Sequence, residues 1–338
     1  MRLALFDTHC FDREAFEAAN ERFGHELTFF EARLRRETAT LARGFPAVCP
    51  FVNDRLDAEV LRTLRDGGTG LVALRAAGFN NVDLHAAEAL GIRVVRVPAY
   101  SPWAVAEHAF GLLLALLRKL PRAVWRVREL NFSLEGLVGH ELHDRTIGLL
   151  GTGRIGHAAA RIAAGFGMRI LAHDLRPDPA LADELGVEYV DRDALFAESD
   201  IVSLHVPLTP ATRHIVDAEA LASMKRGVIL INTGRGALVD ARALIQALKT
   251  GQVGGACLDV YEEEEGIFFR DLSDQVLLDD VLARLMTFPN VLVTAHQAFF
   301  TEEALANIAE TTLANVRAFE RGEALENEVR SEDVLRST

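Results

Sequence analysis

Short apolar runs alternate with segments of helical periodicity from Thr146 onward. The apolar runs, rich in β-branched residues, cover residues 146–150, 169–173, 201–206, 228–232, 254–260 and 291–294. An Ala-rich amphipathic helix is predicted over residues 154–166, between the first two of them. Such alternation predicts βαβ units with right-handed crossovers and a parallel sheet.

The amino-terminal third repeats this pattern, with strands predicted at 3–6, 47–52, 70–75 and 94–97. A chain of 338 residues exceeds one ordinary domain. One helix is predicted to begin near Ser101, after Pro98, and the last helix to span about 302–321. We therefore predict an α/β fold of two Rossmann-like, doubly wound parallel-sheet domains, residues 1–100 plus 299–338 and residues 101–298. Ligands are expected in a cleft between them, at the carboxyl ends of the strands.

Composition narrows the classes of partner. The formal net charge of −13 argues against nucleic acid, and an anionic substrate would need a local cation. The most apolar stretch, residues 104–117, is too short for a membrane span and contains Glu107 and His108, so it predicts a buried helix. The amino terminus turns polar too early for a signal peptide, and three widely spaced cysteines match no metal-ligand spacing. The expectation is a cytoplasmic protein without a metal.

A glycine-rich motif follows the strand predicted at 146–150. Gly151, Gly153 and Gly156 form G-x-G-x-x-G immediately before the predicted helix. In this context the first glycine permits a tight turn, the second lets backbone approach a pyrophosphate, and the third allows close packing of helix on strand. Three glycines alone often mark only a loop, but the strand and helix around them predict a dinucleotide cofactor.

Asp174 ends the second strand of this unit, where a ribose would need an acceptor. A carboxylate there hydrogen-bonds the ribose hydroxyls and repels a 2′-phosphate, which favours NAD over NADP. Arg176 leaves the choice open in part, because a nearby arginine can pair with that phosphate. The alternative for Asp174 is a surface residue at a strand end.

Two side chains near strand ends are candidates for the chemistry. Arg235 follows residues 228–232 between two glycines, where a planar guanidinium suits a carboxylate; the alternative is an ion pair at a sheet edge. His296 follows the last predicted strand of the sheet, and imidazole suits general acid–base work on a carbonyl or hydroxyl.

A run of four glutamates, residues 262–265, is harder to interpret, because such runs usually form solvated loops. A carboxylate beside His296 would fix its tautomer and keep it protonated for donation. The residues alone do not decide which of the four does this.

Several motifs together resemble the D-specific 2-hydroxyacid dehydrogenase family over nearly the whole chain. Besides the glycine loop, they lie at residues 75–83 (RAAGFNNVD), 97–102 (VPAYSP), 104–109 (AVAEHA), 204–209 (LHVPLT), 232–236 (NTGRG) and 258–262 (LDVYE). The resemblance implies an oxidoreductase that transfers hydride between NAD and a small 2-hydroxy or 2-keto acid. It makes residues 101–298 the NAD-binding domain and residues 1–100 plus 299–338 the substrate domain.

Site residues follow from the resemblance position by position. Arg235 would bind the substrate carboxylate, His296 would be the acid–base, and Glu264 its partner. Backbone at Ala77 and Gly78, with Tyr100 and Phe299, would complete the substrate site. The cofactor-binding residues would be Gly151, Gly153, Arg154, Ile155, Gly156, Asp174, Val206, Pro207, Thr233 and Asp259.

The segment after Glu264 departs from many relatives, which carry a proline two residues beyond the glutamate where this chain has Gly266. This longer segment, and residues 49–54, are similar to the D-lactate branch of the family. The resemblance thus implies reduction of pyruvate to D-lactate, with domain closure excluding water. The alternatives are another acid, such as 2-oxoisocaproate, hydroxypyruvate or glyoxylate, and a non-catalytic NAD-sensing module. The apolar helix at 104–117 suggests a homodimer or a dimer of dimers, or else only a core helix.

Overall fold

The structure, a computed structural model, describes residues 1–332, and the chain divides into two compact units. The first unit comprises Met1–Ser101 and Phe300–Thr338, and the second comprises Pro102–Phe299. Both limits lie one residue beyond those predicted. Residues 333–338 of the predicted substrate domain lie outside the described residues.

The first unit begins with a five-stranded sheet. Its elements are β1 (Arg2–Leu5), α1 (Cys10–Asn20), β2 (Glu26–Phe29), β3 (Ala47–Cys49), α2 (Ala58–Asp66), β4 (Leu71–Ala73), α3 (Leu84–Ala89) and β5 (Arg93–Val95). The strand order is β2-β1-β3-β4-β5, and every pairing is parallel.

The second unit contains a seven-stranded sheet. Its elements are α4 (Pro102–Leu117), α5 (Leu120–Arg128), β6 (Thr146–Leu150), α6 (Arg154–Gly165), β7 (Arg169–His173), α7 (Pro179–Leu185), β8 (Glu188–Tyr189), α8 (Arg192–Glu198), β9 (Ile201–Leu204), α9 (Ala218–Ser223), β10 (Val228–Asn232), α10 (Ala241–Thr250), β11 (Val253–Leu258), α11 (Asp280–Met286) and β12 (Val291–Val293). The order is β12-β11-β10-β9-β6-β7-β8, again parallel throughout. The predicted fold class is thereby confirmed.

The central strands of the second sheet are buried because helices cover both faces. All five residues of β6 are buried, and the apolar faces of α4 and α6 pack against one another beside it. The strand order reverses between β6 and β9, which makes their carboxyl ends a topological switch point where open α/β sheets bind ligands. None of the helices in residues 1–332 combines the length and the apolar character needed to cross a membrane.

The last helix, α12 (Glu302–Glu320), belongs to the first unit although just over two hundred residues separate it from β5. It packs on α1 and β4. Its residues Ala309, Leu313 and Val316 are fully buried in the apolar cluster that covers one face of the first sheet. The first core is therefore assembled from both ends of the chain.

Aspartates begin many of the helices. Within residues 1–332, the N-cap side chains of α2, α3, α7, α8, α9, α10 and α11 are aspartates that accept backbone N–H groups, namely Asp57, Asp83, Asp178, Asp191, Asp217, Asp240 and Asp279. Each such cap stabilises a helix by about 1 kcal/mol. Part of the negative charge of the chain thus has a structural role.

Asp54 provides a pH-dependent contribution to stability. Its buried carboxylate accepts N–H groups from Leu34 and Phe51, both at 2.7 Å. Burial raises the pKa of this carboxyl to about 7, against the opposing effects of the Phe51 N–H, Arg75 and the Leu34 N–H. The folded state therefore retains a proton that the unfolded state releases near pH 4.

We expect the stabilisation from protonated Asp54 to be complete below about pH 4 and to be lost as the pH rises through 7. Between about pH 4 and pH 7, the free energy of unfolding of the wild type, relative to that of Asp54→Asn, should fall by about 1 kcal/mol per pH unit. Urea unfolding of both proteins at intervals from pH 5 to 8 measures this difference. A difference that stays constant with pH would show that Asp54 is already ionised at pH 5.

Candidate active site

The glycine loop lies between β6 and α6. The geometry gives a different reason for a glycine at each of its three positions. Gly151 has φ +95°, and a Cβ there would lie 2.8 Å from the carbonyl of His205. A Cβ on Gly156 would lie 2.1 Å from the Gly151 oxygen. A Cβ on Gly153, in contrast, would have no neighbouring atom within 4 Å. The outer two glycines allow close packing, and the middle one leaves open space at the start of α6.

A cavity of about 490 Å³ lies at this helix start. Among its lining residues are Thr152, Gly153, Arg154, His157 and Arg161. The first turn of α6 directs unpaired N–H groups and the positive end of the helix dipole toward such a space. Together with the arginines, this arrangement suits a diphosphate.

Asp174 follows β7 directly and is held by three donors. Its Oδ2 accepts the Thr152 N–H (2.7 Å) and hydroxyl (3.1 Å), and its Oδ1 accepts the Arg176 N–H (2.8 Å). Burial acts to raise the pKa of this carboxyl, but these hydrogen bonds outweigh it and hold the pKa below its usual value. The Tyr189 hydroxyl donates in turn to the Thr152 hydroxyl at 3.1 Å. Sequence analysis did not identify Thr152 or Tyr189.

Arg235 lies in the loop after β10, as the residue that precedes a single 3₁₀ turn, Gly236–Leu238. The Asn232 side chain shapes this loop by accepting the Gly234 N–H and donating to the Arg235 carbonyl. The guanidinium itself donates to the Gly234 carbonyl at 2.8 Å. Within the described chain it forms no ion pair, so the sheet-edge alternative does not hold here.

His296 and Glu264 form the central contact of the site. The imidazole Nδ1 lies 2.7 Å from Glu264 Oε1, and both side chains are less than one-fifth exposed. Glu264 Oε2 accepts the N–H of Tyr261 at 3.1 Å, so both carboxylate oxygens are engaged. His296 has φ +53°, a left-handed backbone that is costly for a residue other than glycine.

Asp259 holds the turn that carries His296. It is fully buried, and its carboxylate accepts the Thr294 hydroxyl at 2.5 Å and the N–H groups of Gln297 and Ala298 at 2.9 Å. Its carbonyl accepts the His296 N–H at 2.7 Å. Burial acts to raise the pKa of Asp259, but hydrogen bonds from His108, Thr294, Ala298 and Gln297 hold it below the usual value. This anion therefore sets the backbone on both sides of His296; its predicted contact with the cofactor stays a prediction.

The four glutamates have different surroundings. Glu263 and Glu265 are exposed, whereas Glu262 accepts the Arg213 guanidinium and lies 2.8 Å from His214 Nε2. This leaves Glu264 as the partner of His296, as the resemblance implied. Although the region is rich in Glu and His, no group of three or more His, Cys, Asp or Glu side chains in residues 1–332 is arranged to hold a metal ion.

The loops after β10, β11 and β12 lie side by side because these strands are neighbours in the sheet. A Cβ on Gly236 would lie 2.1 Å from the carbonyl carbon of Tyr261, so the Arg235 loop packs directly on the segment before Glu264. The structure thus brings the Arg235 loop together with the pair Glu264 and His296.

The remaining predicted residues are distributed over both units. Arg154, Ile155, Val206, Pro207, Thr233 and Phe299 belong to the second unit, and Ala77, Gly78 and Tyr100 belong to the first. Thr233 is buried, and within residues 1–332 its hydroxyl has no hydrogen-bond partner. In the first unit, Arg96 donates to the Ala77 carbonyl at 2.9 Å, and Asn307 donates to the Tyr100 carbonyl at 2.8 Å.

Comparison with known proteins matches most of the chain to one family. Residues 110–298 match the family model of the D-isomer specific 2-hydroxyacid dehydrogenase NAD-binding domain. A 2-hydroxyacid dehydrogenase homologue of Schizosaccharomyces pombe is 55% identical over 94% of this chain and 96% of its own. The D-lactate dehydrogenase of Escherichia coli is 52% identical over 97% of this chain and 100% of its own. An apo structure of the Escherichia coli enzyme superposes with a TM-score of 0.89, at 50% identity over 97% of this chain and 100% of that one.

The family model and the relatives agree on the cofactor and on the class of reaction. The family model covers more than half of the chain, and the relatives cover almost all of it. The predicted use of NAD and the predicted oxidoreductase class are confirmed. The chain belongs to the D-isomer specific 2-hydroxyacid dehydrogenases, a family of NAD-dependent oxidoreductases.

Proposed function

We propose that this protein catalyses the reversible reduction of pyruvate to D-lactate. The observation that supports this most is the His296–Glu264 contact of 2.7 Å next to the loop of Arg235, whose guanidinium has no carboxylate partner in the described chain. Such a site needs a ligand that is both an anion and a proton acceptor, and a 2-keto acid is both. The name of the Escherichia coli relative supports the lactate assignment.

Arg235 holds the carboxylate of the keto acid. Its planar fork offers two parallel N–H donors, which fix the orientation of the acid as well as its position. Because its loop packs on the segment before Glu264, the carbonyl of the bound acid is directed toward the imidazole. Placement of this kind removes much of the entropic barrier to reaction.

His296 supplies the proton. Its Nδ1 is occupied by Glu264, so Nε2 is the nitrogen that donates to the carbonyl oxygen in reduction and accepts from the hydroxyl in oxidation. Glu264 stabilises the imidazolium and fixes the ring orientation. When bound, the nicotinamide supplies the hydride that C2 receives.

The described residues fit a dinucleotide. The open space at Gly153 and the cavity at the start of α6 admit a diphosphate, flanked by Gly151, Arg154, Ile155 and Gly156. Asp174 is ionised and accepts the ribose hydroxyls, and the buried Thr233 hydroxyl lacks a partner that a bound ligand would supply. Val206, Pro207 and Asp259 complete the proposed cofactor site.

Asp174 is expected to control the preference between the two nicotinamide cofactors. In Asp174→Ser the repulsion of a 2′-phosphate is lost, and Arg176 remains two residues away to pair with it. The ratio of kcat/KM with NADPH to kcat/KM with NADH should rise at least about 30-fold, equivalent to about 2 kcal/mol. Initial rates with both cofactors measure the ratio. The exposed Asp183→Ser in α7 is the matched control, and an equal rise in both variants would exclude a specific role.

The substrate side chain is the less constrained part of the proposal. The family resemblance also assigns backbone at Ala77 and Gly78, with Tyr100 and Phe299, to the substrate site. One methylene in an apolar pocket changes specificity by only about 1–3 kcal/mol. A dehydrogenase for a larger or more polar 2-keto acid is therefore the second candidate, and the broader name of the Schizosaccharomyces pombe relative is compatible with it.

A substrate panel tests this proposal. NADH oxidation is followed with pyruvate, glyoxylate, 2-oxobutyrate, hydroxypyruvate and 2-oxoisocaproate, and the product is analysed for its D isomer. We expect the highest kcat/KM with pyruvate and D-lactate as product. If another keto acid is preferred, the lactate assignment fails and the mechanism survives; if none is reduced although NADH binds, the protein is an NAD-sensing module.

We also propose that the chain forms a homodimer, or a dimer of dimers, through residues 124–138. Within α5 no residue is buried, and Val124 and Trp125 are more than half exposed. Leu130, Phe132, Leu134 and Val138 are each about 70–80% exposed. A short segment that exposes this many large apolar side chains is rare on a monomer and typical of an interface. Sedimentation velocity tests this: Phe132→Ser with Val138→Ser should shift the protein toward the monomer, whereas a monomeric wild type would refute it.

A further inference from the structure

A second cavity, of about 540 Å³, lies at the end of the seven-stranded sheet where the strands begin. Its lining includes Arg145 just before β6, Asp200 just before β9 and Gly227 just before β10. These positions are the amino ends of parallel strands, whereas the glycine loop, Arg235 and His296 follow carboxyl ends. The cavity is therefore separate from the proposed catalytic loops.

The lining combines an apolar floor with a cationic rim. Leu116, Ile229 and Leu292 are partly buried apolar residues of the floor. The rim carries five basic side chains: Lys119, Arg122, Arg145, Lys225 and Arg226. Asp200 is the one acidic side chain among the described lining residues.

Only one of these cations forms an ion pair with an acidic residue of the described lining. Asp200 Oδ1 accepts Lys225 at 3.0 Å, and Oδ2 accepts the Thr146 N–H at 2.9 Å. Burial acts to raise the pKa of Asp200, but these two hydrogen bonds hold it below its usual value, so the carboxylate is charged. One anion against five cations leaves four positive charges around the cavity.

The other basic groups with a described hydrogen bond are engaged by neutral carbonyl groups. Lys119 donates to Gly136 at 3.1 Å, Arg145 to Glu141 at 2.8 Å and Arg226 to Thr250 at 2.9 Å. These bonds orient the side chains without neutralising them. Four cations in one concavity repel one another, and they do so on a chain with a net charge of −13. A bound polyanion would relieve this repulsion.

We propose that this cavity binds a small organic polyanion, a molecule with at least two carboxylate or phosphate groups on an apolar body. The volume lies in the range of small-molecule sites, about 300–1,000 Å³. The ligand should carry several negative charges, because the cations of the rim lie on different segments and can each bind a separate anionic group. The floor accounts for the apolar body, since Leu116, Ile229 and Leu292 offer no partner to an inorganic ion.

The first test uses benzene-1,3,5-tricarboxylate as the probe. Benzoate, which has the same ring but only one carboxylate, is the control. Isothermal titration calorimetry is performed on NADH-saturated protein, so that the cofactor site is filled. We expect saturable binding of one tricarboxylate per chain, at least tenfold tighter than benzoate, and weaker at high salt because of screening. Absence of tricarboxylate binding, or equal affinity for both acids, overturns the proposal.

Variants then locate the site. The double variant Arg122→Gln with Arg226→Gln should weaken tricarboxylate binding at least tenfold, and Arg122→Lys with Arg226→Lys should retain most of it. The pair Arg62→Gln and Arg65→Gln, on exposed positions of α2, removes the same charge elsewhere and should leave the affinity unchanged. An equal loss in both glutamine pairs would mean a general charge effect. If sedimentation shows that the tricarboxylate binds only by separating subunits, a second copy occupies the cavity and the proposal fails.

Discussion

We expect the kcat/KM of His296→Ala for the preferred keto acid to be at least about a hundredfold lower than that of the wild type. General acid–base catalysis contributes typically about 10²–10⁴-fold. In this site one imidazole has its Nδ1 committed to Glu264, so no second nitrogen can replace Nε2. Initial rates of NADH oxidation under pyruvate saturation and at low pyruvate separate kcat from KM.

Two controls make this result specific. The Kd for NADH, measured by quenching of intrinsic fluorescence, should not change, because His296 lies on the loop after β12 and not on the glycine loop. Glu264→Gln retains the shape of the partner but removes its charge, so its loss of rate should be smaller than that of His296→Ala. If His296→Ala retains more than a tenth of wild-type kcat/KM, another group transfers the proton and the proposed role is wrong.

Replacing Arg235 by glutamine is expected to have the second large effect. Removing one partner of a hydrogen-bonded charge pair costs about 2–5 kcal/mol, or about 30- to 5,000-fold in kcat/KM. Much of the loss should appear as a raised KM for pyruvate, since the carboxylate is held in both the ground state and the transition state. Steady-state kinetics over a wide range of pyruvate concentration measures the division between KM and kcat.

Arg235→Lys distinguishes charge from geometry. A lysine keeps the positive charge but not the planar fork, so it should recover only part of the lost kcat/KM. Arg192→Gln, at an exposed position of α8 in the same unit, is a control that removes an equal charge. A normal KM for pyruvate in Arg235→Gln would show that the carboxylate is bound elsewhere.

Of the strands in residues 1–332, apolar patterning predicted ten and missed two, and the two that it missed share a physical feature. β2 (Glu26–Phe29) lies at one edge of the first sheet and β8 (Glu188–Tyr189) at one edge of the second. None of their residues is buried. An edge strand contacts one neighbour and one covering layer, so its sequence need not carry the continuous apolar run that marks a central strand. Prediction from apolar runs is therefore strongest in the middle of a parallel sheet.

Within the site, the residues that follow strands could be located, and their partners could not. Arg235, Asp174 and His296 were identified because a parallel sheet gathers the carboxyl ends of its strands. The choice of Glu264 among four glutamates needed the resemblance, since its contact with His296 spans 32 positions and local pattern carries no information over that distance. The Tyr189–Thr152–Asp174 chain and the left-handed backbone of His296 likewise arise from tertiary contacts.

The split origin of the first core has a consequence for the order of events on the ribosome. The chain emerges from its amino terminus, so β1 to β5 are made long before α12, whose Ala309, Leu313 and Val316 complete their apolar cluster. At about 5–20 residues per second, translation of the intervening segment takes on the order of 10–40 seconds. The second unit, continuous in sequence, can fold during that delay. The nascent first unit meanwhile exposes the apolar face that α12 will cover, and it is the part of this protein that chaperones should recognise first.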